Sequence, residues 1–205
     1  MWTLSWSEHY LISPYNPTTN QLYNLKDISD LNTYFEKNRN ALASRHCAKK
    51  SPSQWYRTID KVSYPLLKKK KLLIPDIQTG GCVAFDEKGI YYPHHNVYWI
   101  TSDTWNLFAL CVILRSDFVT SQVRMLSPQL RGGSLRYQAQ VLRNVRIPRI
   151  SQLSGAQILQ LEQLYYEPNL TKVNEYVDTM LQSLRSVSEQ PSAPVCAPRQ
   201  LKLFA

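Results

Sequence analysis

The sequence predicts an α+β fold, with a small antiparallel sheet and packed helices, followed by a C-terminal helical hairpin and a flexible tail. Three observations carry this. Short β-rich segments separated by turn residues crowd the stretch from Leu72 to Thr101. The apolar run Leu107–Leu114 comes next, just after the capping residues Ser102 and Asp103. From Ser154 onward the apolar residues recur at helical spacing, broken once at Glu167-Pro168-Asn169.

In chain order, Met1–Lys26 is aromatic and turn-rich, with Pro14 and Pro17 as breakers, and reads as irregular or edge structure. Ser29 is placed to cap a helix running to about His46, with Leu31, Tyr34, Phe35, Leu42 and Arg45 on one face. Lys49–Gln54 is a polar turn, and Trp55–Ile59 has β character. Leu72–Ile77 reads as a strand ended or bent at Pro75. Gly80-Gly81 turns the chain into a second strand, Cys82–Phe85, and Asp86-Glu87-Lys88-Gly89 carries a hairpin signal. Ile90–Tyr92 and Asn96–Thr101 complete the strands.

A helix from Thr104 to about Met125 is apolar almost all round in its first half, so it belongs against the sheet. Pro128, Gly132 and Gly133 mark a loop, and Leu135–Ile147 is a mixed segment ending at Pro148. In the hairpin, Ile158, Leu161, Leu164 and Tyr165 form one stripe. Leu170, Val173, Tyr176, Val177, Met180, Leu181 and Leu184 form the other. Pro191, Pro194 and Pro198 among Ser and Ala make the tail.

The 205 residues include 24 Lys+Arg against 15 Asp+Glu, a net charge of +9. With 43% hydrophobic and 11% aromatic residues the chain can bury a core, which excludes disorder throughout. The longest apolar run, Leu107–Leu114, falls far short of the ~20 residues that span a bilayer. MWTLSWSEHY holds no basic segment followed by an apolar one, so the expectation is a cytoplasmic protein with no membrane partner. Cys47, Cys82, Cys111 and Cys196 lie too far apart in sequence for metal-ligand spacing, and His94-His95 reads as a strand-end pair, so no metal site is expected.

The charge is clustered. Lys37–Lys71 holds eleven Lys+Arg and one acid, Asp60; Arg115–Arg149 holds seven Arg and one acid, Asp117. Two basic blocks suit a polyanion, whose condensed counterions they displace. The all-arginine second block also suits the guanine edge. For Lys68–Lys71 alone, a solvated loop is the plainer reading.

No catalytic constellation stands out: GxSxG, P-loop and HExxH motifs are all missing. Three ordered stretches nevertheless carry a family likeness. The first is Tyr34–Ile59, with Tyr-Phe-Glu-Lys-Asn-Arg-Asn-Ala-Leu-Ala-Ser-Arg, Lys49-Lys50 and Ser53-Gln54-Trp55-Tyr56-Arg57-Thr58-Ile59. The second is Lys71–Ile77 with Phe85-Asp86-Glu87-Lys88-Gly89-Ile90-Tyr91. The third is Leu107–Ser116 with Arg131-Gly132-Gly133, Arg136-Tyr137 and Leu142 through Ile147-Pro148.

Together they resemble the TaqI-like C-terminal specificity domain of N6-adenine DNA methyltransferases, including the fused restriction–methylation enzymes. The likeness covers roughly Leu22–Ile150. It implies a module that recognises double-stranded DNA while a separate adenine methyltransferase domain or subunit flips the target base and methylates it. S-adenosylmethionine is expected on that partner, with no cofactor and no catalytic residue on this chain. The Asn-Pro-Pro-Tyr-like tetrapeptide of the catalytic domain does not occur in the sequence.

On this likeness residues 1–150 are the target-recognition domain, 151–188 the hairpin and 189–205 the tail. Lys49, Lys50, Arg57, Lys68 and Lys69 are the expected phosphate contacts. Arg131, Gly132, Gly133, Arg136 and Tyr137 are the expected base-reading group. At the C-terminus, Gln200, Leu201, Leu203 and Phe204, around Lys202, resemble the pentapeptide that docks DNA-handling proteins on the replication sliding clamp. The other reading has these residues tack the tail onto the hairpin. The competing function is a protein-interaction adaptor docking through the hairpin and this QLKLF peptide.

Overall fold

The computed structural model describes residues 4–5, 8–93, 95–188 and 203–204. These fall into two compact units, the smaller holding residues 8–68 and the larger holding residues 4–5 with those from Lys69 onward.

The smaller unit is held by aromatic packing. Tyr15 and Leu22 form an antiparallel bridge around a turn in which the Asn16 side chain accepts from Thr18 N at 2.8 Å and Thr19 N at 2.9 Å. Its helices are α1 (Ser29–Lys37), α2 (Arg39–Ala43), α3 (His46–Lys50) and α4 (Tyr64–Leu67). The single helix expected to His46 is thus three short ones. Asn38 ends α1 because its side-chain amide donates to Tyr34 O at 2.8 Å, and Arg45 is extended (ψ 147°) before α3. Ile28, not Ser29, occupies the cap position of α1.

Leu25, Phe35, Ala48 and Trp55 form the small core, with Phe35, Trp55 and Tyr56 meeting edge to face. Tyr34, expected on the same face, is exposed. The Trp55–Ile59 segment forms no strand. Its carbonyls are taken by Arg45, whose Nη2 donates to Trp55 O and Arg57 O at 3.0 Å each.

The larger unit carries the sheet. Strand β1 (Lys71–Pro75) is flanked by β3 (Ala84–Asp86) and β4 (Val97–Ile100), both antiparallel to it. A two-residue ribbon pairs β2 (Ile77–Gln78) with β5 (Leu135–Arg136). The Asp86–Gly89 hairpin does not form, since the strand expected at Ile90–Tyr92 is absent and β3 and β4 lie on opposite sides of β1. The Asp86 carboxylate instead accepts from Ile90 N and Tyr91 N, turning the chain across the sheet.

Asn106, not Ser102 or Asp103, caps α5 (Leu107–Arg115), accepting from Phe108 N and Ala109 N. Residues Ala109–Ile113 are wholly buried. The expected long helix breaks at Ser116, whose ψ of 158° separates α5 from α6 (Asp117–Leu126). The short α7 (Ala139–Leu142) follows β5.

The hairpin forms as α8 (Gly155–Leu164), capped by Ser154 through a Ser154–Gln157 capping box, and α9 (Leu170–Ser188). Helix α8 packs on α5 and α9 on α6, and Leu161, Val173, Val177 and Met180 belong to the same core cluster as Leu72 and Ile100. The core is thus continuous across residue 150, with most of the hairpin's apolar stripes packed against it.

Of the tail, the Leu203–Phe204 backbone (β6) pairs antiparallel with Ile100 and Trp99 of β4, rather than with the hairpin. Gln200 and Leu201 lie outside the described residues, as do Cys196 and His94. No helix among the described residues is long and apolar enough to cross a membrane.

Candidate nucleic-acid interface

The loop between α6 and β5 is built to project. Its base is pinched twice: Ser127 Oγ accepts from Arg136 N at 3.0 Å, and Leu130 N donates to Ser134 O at 3.0 Å. At its tip stand Arg131, Gly132 and Gly133, all exposed. Both glycines take positive φ, 78° and 75°, and a Cβ on either would meet nothing within 4 Å. Backbone conformation, not crowding, is what asks for glycine here. Arg131 has no ion-pair or hydrogen-bond partner among the described residues.

Arg136 is differently placed. Its Nε donates to Asp76 Oδ1 at 3.0 Å and its Nη2 to Asp76 Oδ2 at 2.5 Å. The hydrogen bond to Asp76 holds the guanidinium pKa above its usual value. Asp76 is fixed in turn by its backbone, with its N–H on Asn96 O and its carbonyl accepting from Tyr137 N. The arginine fork expected to read a base thus holds Asp76 through Nε and Nη2, while its side chain stays partly exposed. It secures the root of the loop that carries Arg131.

Tyr137, the neighbour expected in the same base-reading group, is buried. It is 1% exposed and its hydroxyl donates to Thr120 Oγ1, which makes it a core residue. Burial pushes its hydroxyl pKa up. Arg136, half-buried at the end of β5, and the buried Tyr137 beside it thus face different surroundings.

The expected phosphate contacts divide as well. Lys49 and Lys50 end α3, and both are exposed, as is Lys68. Arg57 is only half-buried, but its Nε is sealed off without a partner. Lys69 and Lys70 make loose exposed pairs with Asp103 at 3.7 Å and Glu87 at 3.9 Å. Lys71 is no solvated residue at all: it starts β1, fully buried opposite Asp86. The sequence signal for this was its place at the head of an apolar strand, hidden by three identical neighbours.

The TaqI-like C-terminal specificity domain matches residues 20–147, well over half of the chain. The chain belongs to this family. Its specificity domain is also similar to parts of three type II methyltransferases. It is 35% identical to M.BstVI of Geobacillus stearothermophilus over 90% of this chain and 32% of that protein. It is 44% identical to M.PaeR7I of Pseudomonas aeruginosa over 71% of this chain and 25% of the relative. It is 37% identical to M.XhoI of Xanthomonas vasicola over 71% and 26% respectively. The chain spans about a quarter to a third of the length of these relatives. Within the specificity domain, the matched span takes in the α3 lysines, β1 to β4, α5 and the Arg131–Gly133 loop.

Proposed function

We propose that this specificity domain recognises a sequence in duplex DNA for a restriction–modification adenine methyltransferase, whose catalytic domain or subunit supplies S-adenosylmethionine and the methyl transfer. The observation that carries the reading is the Arg131 loop: an unpartnered arginine beside two open glycines, on a root locked by Arg136 and Asp76. Such a root keeps the loop preorganised, so little ordering entropy is lost when it meets a groove. Arg131 presents a free planar fork of the kind that pairs with guanine O6 and N7. Lys49, Lys50, Lys68 and Lys69 supply the charge for phosphates. Arg136 acts as a positioning residue. A cytoplasmic location follows from this reading.

The test is binding of the purified chain to duplex DNA, followed by fluorescence anisotropy across a salt series. Steep weakening with salt and a preference for one sequence, relaxed by Arg131→Ala, are expected. Absence of binding at low salt overturns the reading. With a type II methyltransferase catalytic chain added, site-specific N6-methyladenine is the expected product.

A further inference from the structure

In the smaller unit an open cleft of about 620 Å³ has a mixed lining, in which the backbones of Asn20 and Arg57 are fixed while their side-chain ends are not. One wall is the turn closed by the Tyr15–Leu22 bridge, bearing Asn20 and Gln21; the other is the segment Gln54, Arg57, Ile59 and Lys61. Asn20 is held at a φ of 55° with its N–H on Asn16 O at 2.8 Å. Arg57 is held by its carbonyl, which accepts from Arg45. Yet Asn20 Oδ1 and Arg57 Nε are both shielded from solvent with no hydrogen-bond partner.

Two orphaned polar atoms in one cleft are costly unless something completes them. One is an acceptor and the other a donor. A phosphate or carboxylate only accepts, so it would satisfy Arg57 and leave Asn20 unmet. The edge of an amino-bearing nucleobase offers an acceptor and an N–H donor side by side, and side-chain amides and guanidinium forks pair with such edges. Both residues are only half-buried, and a rotation of each side chain would bring its shielded end to the cleft. No carboxylate lines the cleft, Lys61 supplies an exposed cation for a flanking phosphate, and the 68%-exposed Ile59 offers an apolar surface to a ring.

We infer that this cleft is a second base-reading site, taking the edge of one amino-bearing nucleobase between Asn20 and Arg57. The inference rests on the proposed binding of duplex DNA and adds a specificity determinant to it.

The experiment is selection of preferred duplexes from a random-sequence DNA pool by the 205-residue chain, repeated with Asn20→Gly and Arg57→Lys. Glycine keeps the positive φ, lysine keeps the charge, and thermal melting checks that each variant folds. For each protein the affinity ratio between the selected duplex and every single-base-pair change of it is measured. Both variants are expected to lose about 10-fold of preference at the same base pair and to keep the preferences elsewhere. Wild-type preference at every position in the Asn20→Gly variant overturns the inference and leaves the DNA-binding reading standing. Equal weakening toward selected and unselected duplexes also overturns it, since that is the mark of a phosphate or structural role. A wild-type chain that binds no duplex overturns both.

Discussion

Lys71 Nζ lies 2.7 Å from Asp86 Oδ2 across the β1–β3 register, and neither side chain is more than 1% exposed. The ammonium also donates to Lys69 O at 3.2 Å and sits over the Trp99 ring, 6.0 Å from its centroid. The carboxylate holds Ile90 N and Tyr91 N, so one buried pair ties the edge strand and the following turn together.

Removing one partner strands the other charge in the core. Lys71→Met is expected to cost about 3–5 kcal/mol of unfolding free energy, read by urea denaturation. Lys71→Met combined with Asp86→Asn leaves no buried ion and keeps an acceptor for the turn. The double variant is expected to be more stable than Lys71→Met alone; a further loss would show that the two residues are not coupled.

The Arg136–Asp76 pair controls the loop that ends at it. Arg136→Lys retains the charge but loses the fork. Tryptic cleavage after Arg131 is expected to quicken in Arg136→Lys and in Asp76→Asn, with the sheet core unaffected. Unchanged cleavage rates would show that the pair does not hold the loop.

Gly132 and Gly133 meet no neighbour at Cβ, so size is not their constraint. Gly132→Ala is expected to destabilise the protein by about 1–2 kcal/mol through its left-handed backbone alone. A loss near zero in thermal melting would mean that the loop adopts another conformation at no cost.

Exposed lysines act on all DNA alike. Lys49→Ala, Lys50→Ala and Lys68→Ala are each expected to weaken binding to every duplex and to lower the salt slope by about 1. A change confined to one sequence would move that lysine from phosphate contact to base reading.

Burial pushes the Cys111 thiol from its ordinary 9.0 up to about 12, the nearby Arg115 opposing the shift. Peptide-resolved alkylation of the native protein at mildly alkaline pH is therefore expected to spare Cys111 and to label the less buried Cys47. Between pH 9.0 and about 12 the unfolded thiol loses its proton while the native one keeps it, so stability falls as pH rises. Cys111→Ala is expected to flatten that fall in urea titrations; an unchanged slope would place the alkaline sensitivity at Tyr137 and Tyr165, also raised by burial.

Much of this protein was legible without coordinates. Local pattern sufficed wherever one residue type dominates a short window: Leu107–Leu114 as a buried helix, the two stripes around Glu167-Pro168-Asn169, β1 ending at Pro75, and glycine at the tip of the Arg131 loop. Family membership was legible too, because three ordered motifs are a sequence property.

Tertiary structure decided what depends on a distant partner. Four lysines in a row look alike, and only the strand register sets Lys71 opposite Asp86 and leaves Lys68 in solvent. Arg136 ends β5 and Tyr137 is the next residue, yet one meets Asp76 and the other the core. Strand order, and the cleft that collects Asn20 with Arg57, arise from long-range pairing that no local window contains. Charge and periodicity are properties of a segment, whereas a hydrogen-bond partner far along the chain is a property of the fold.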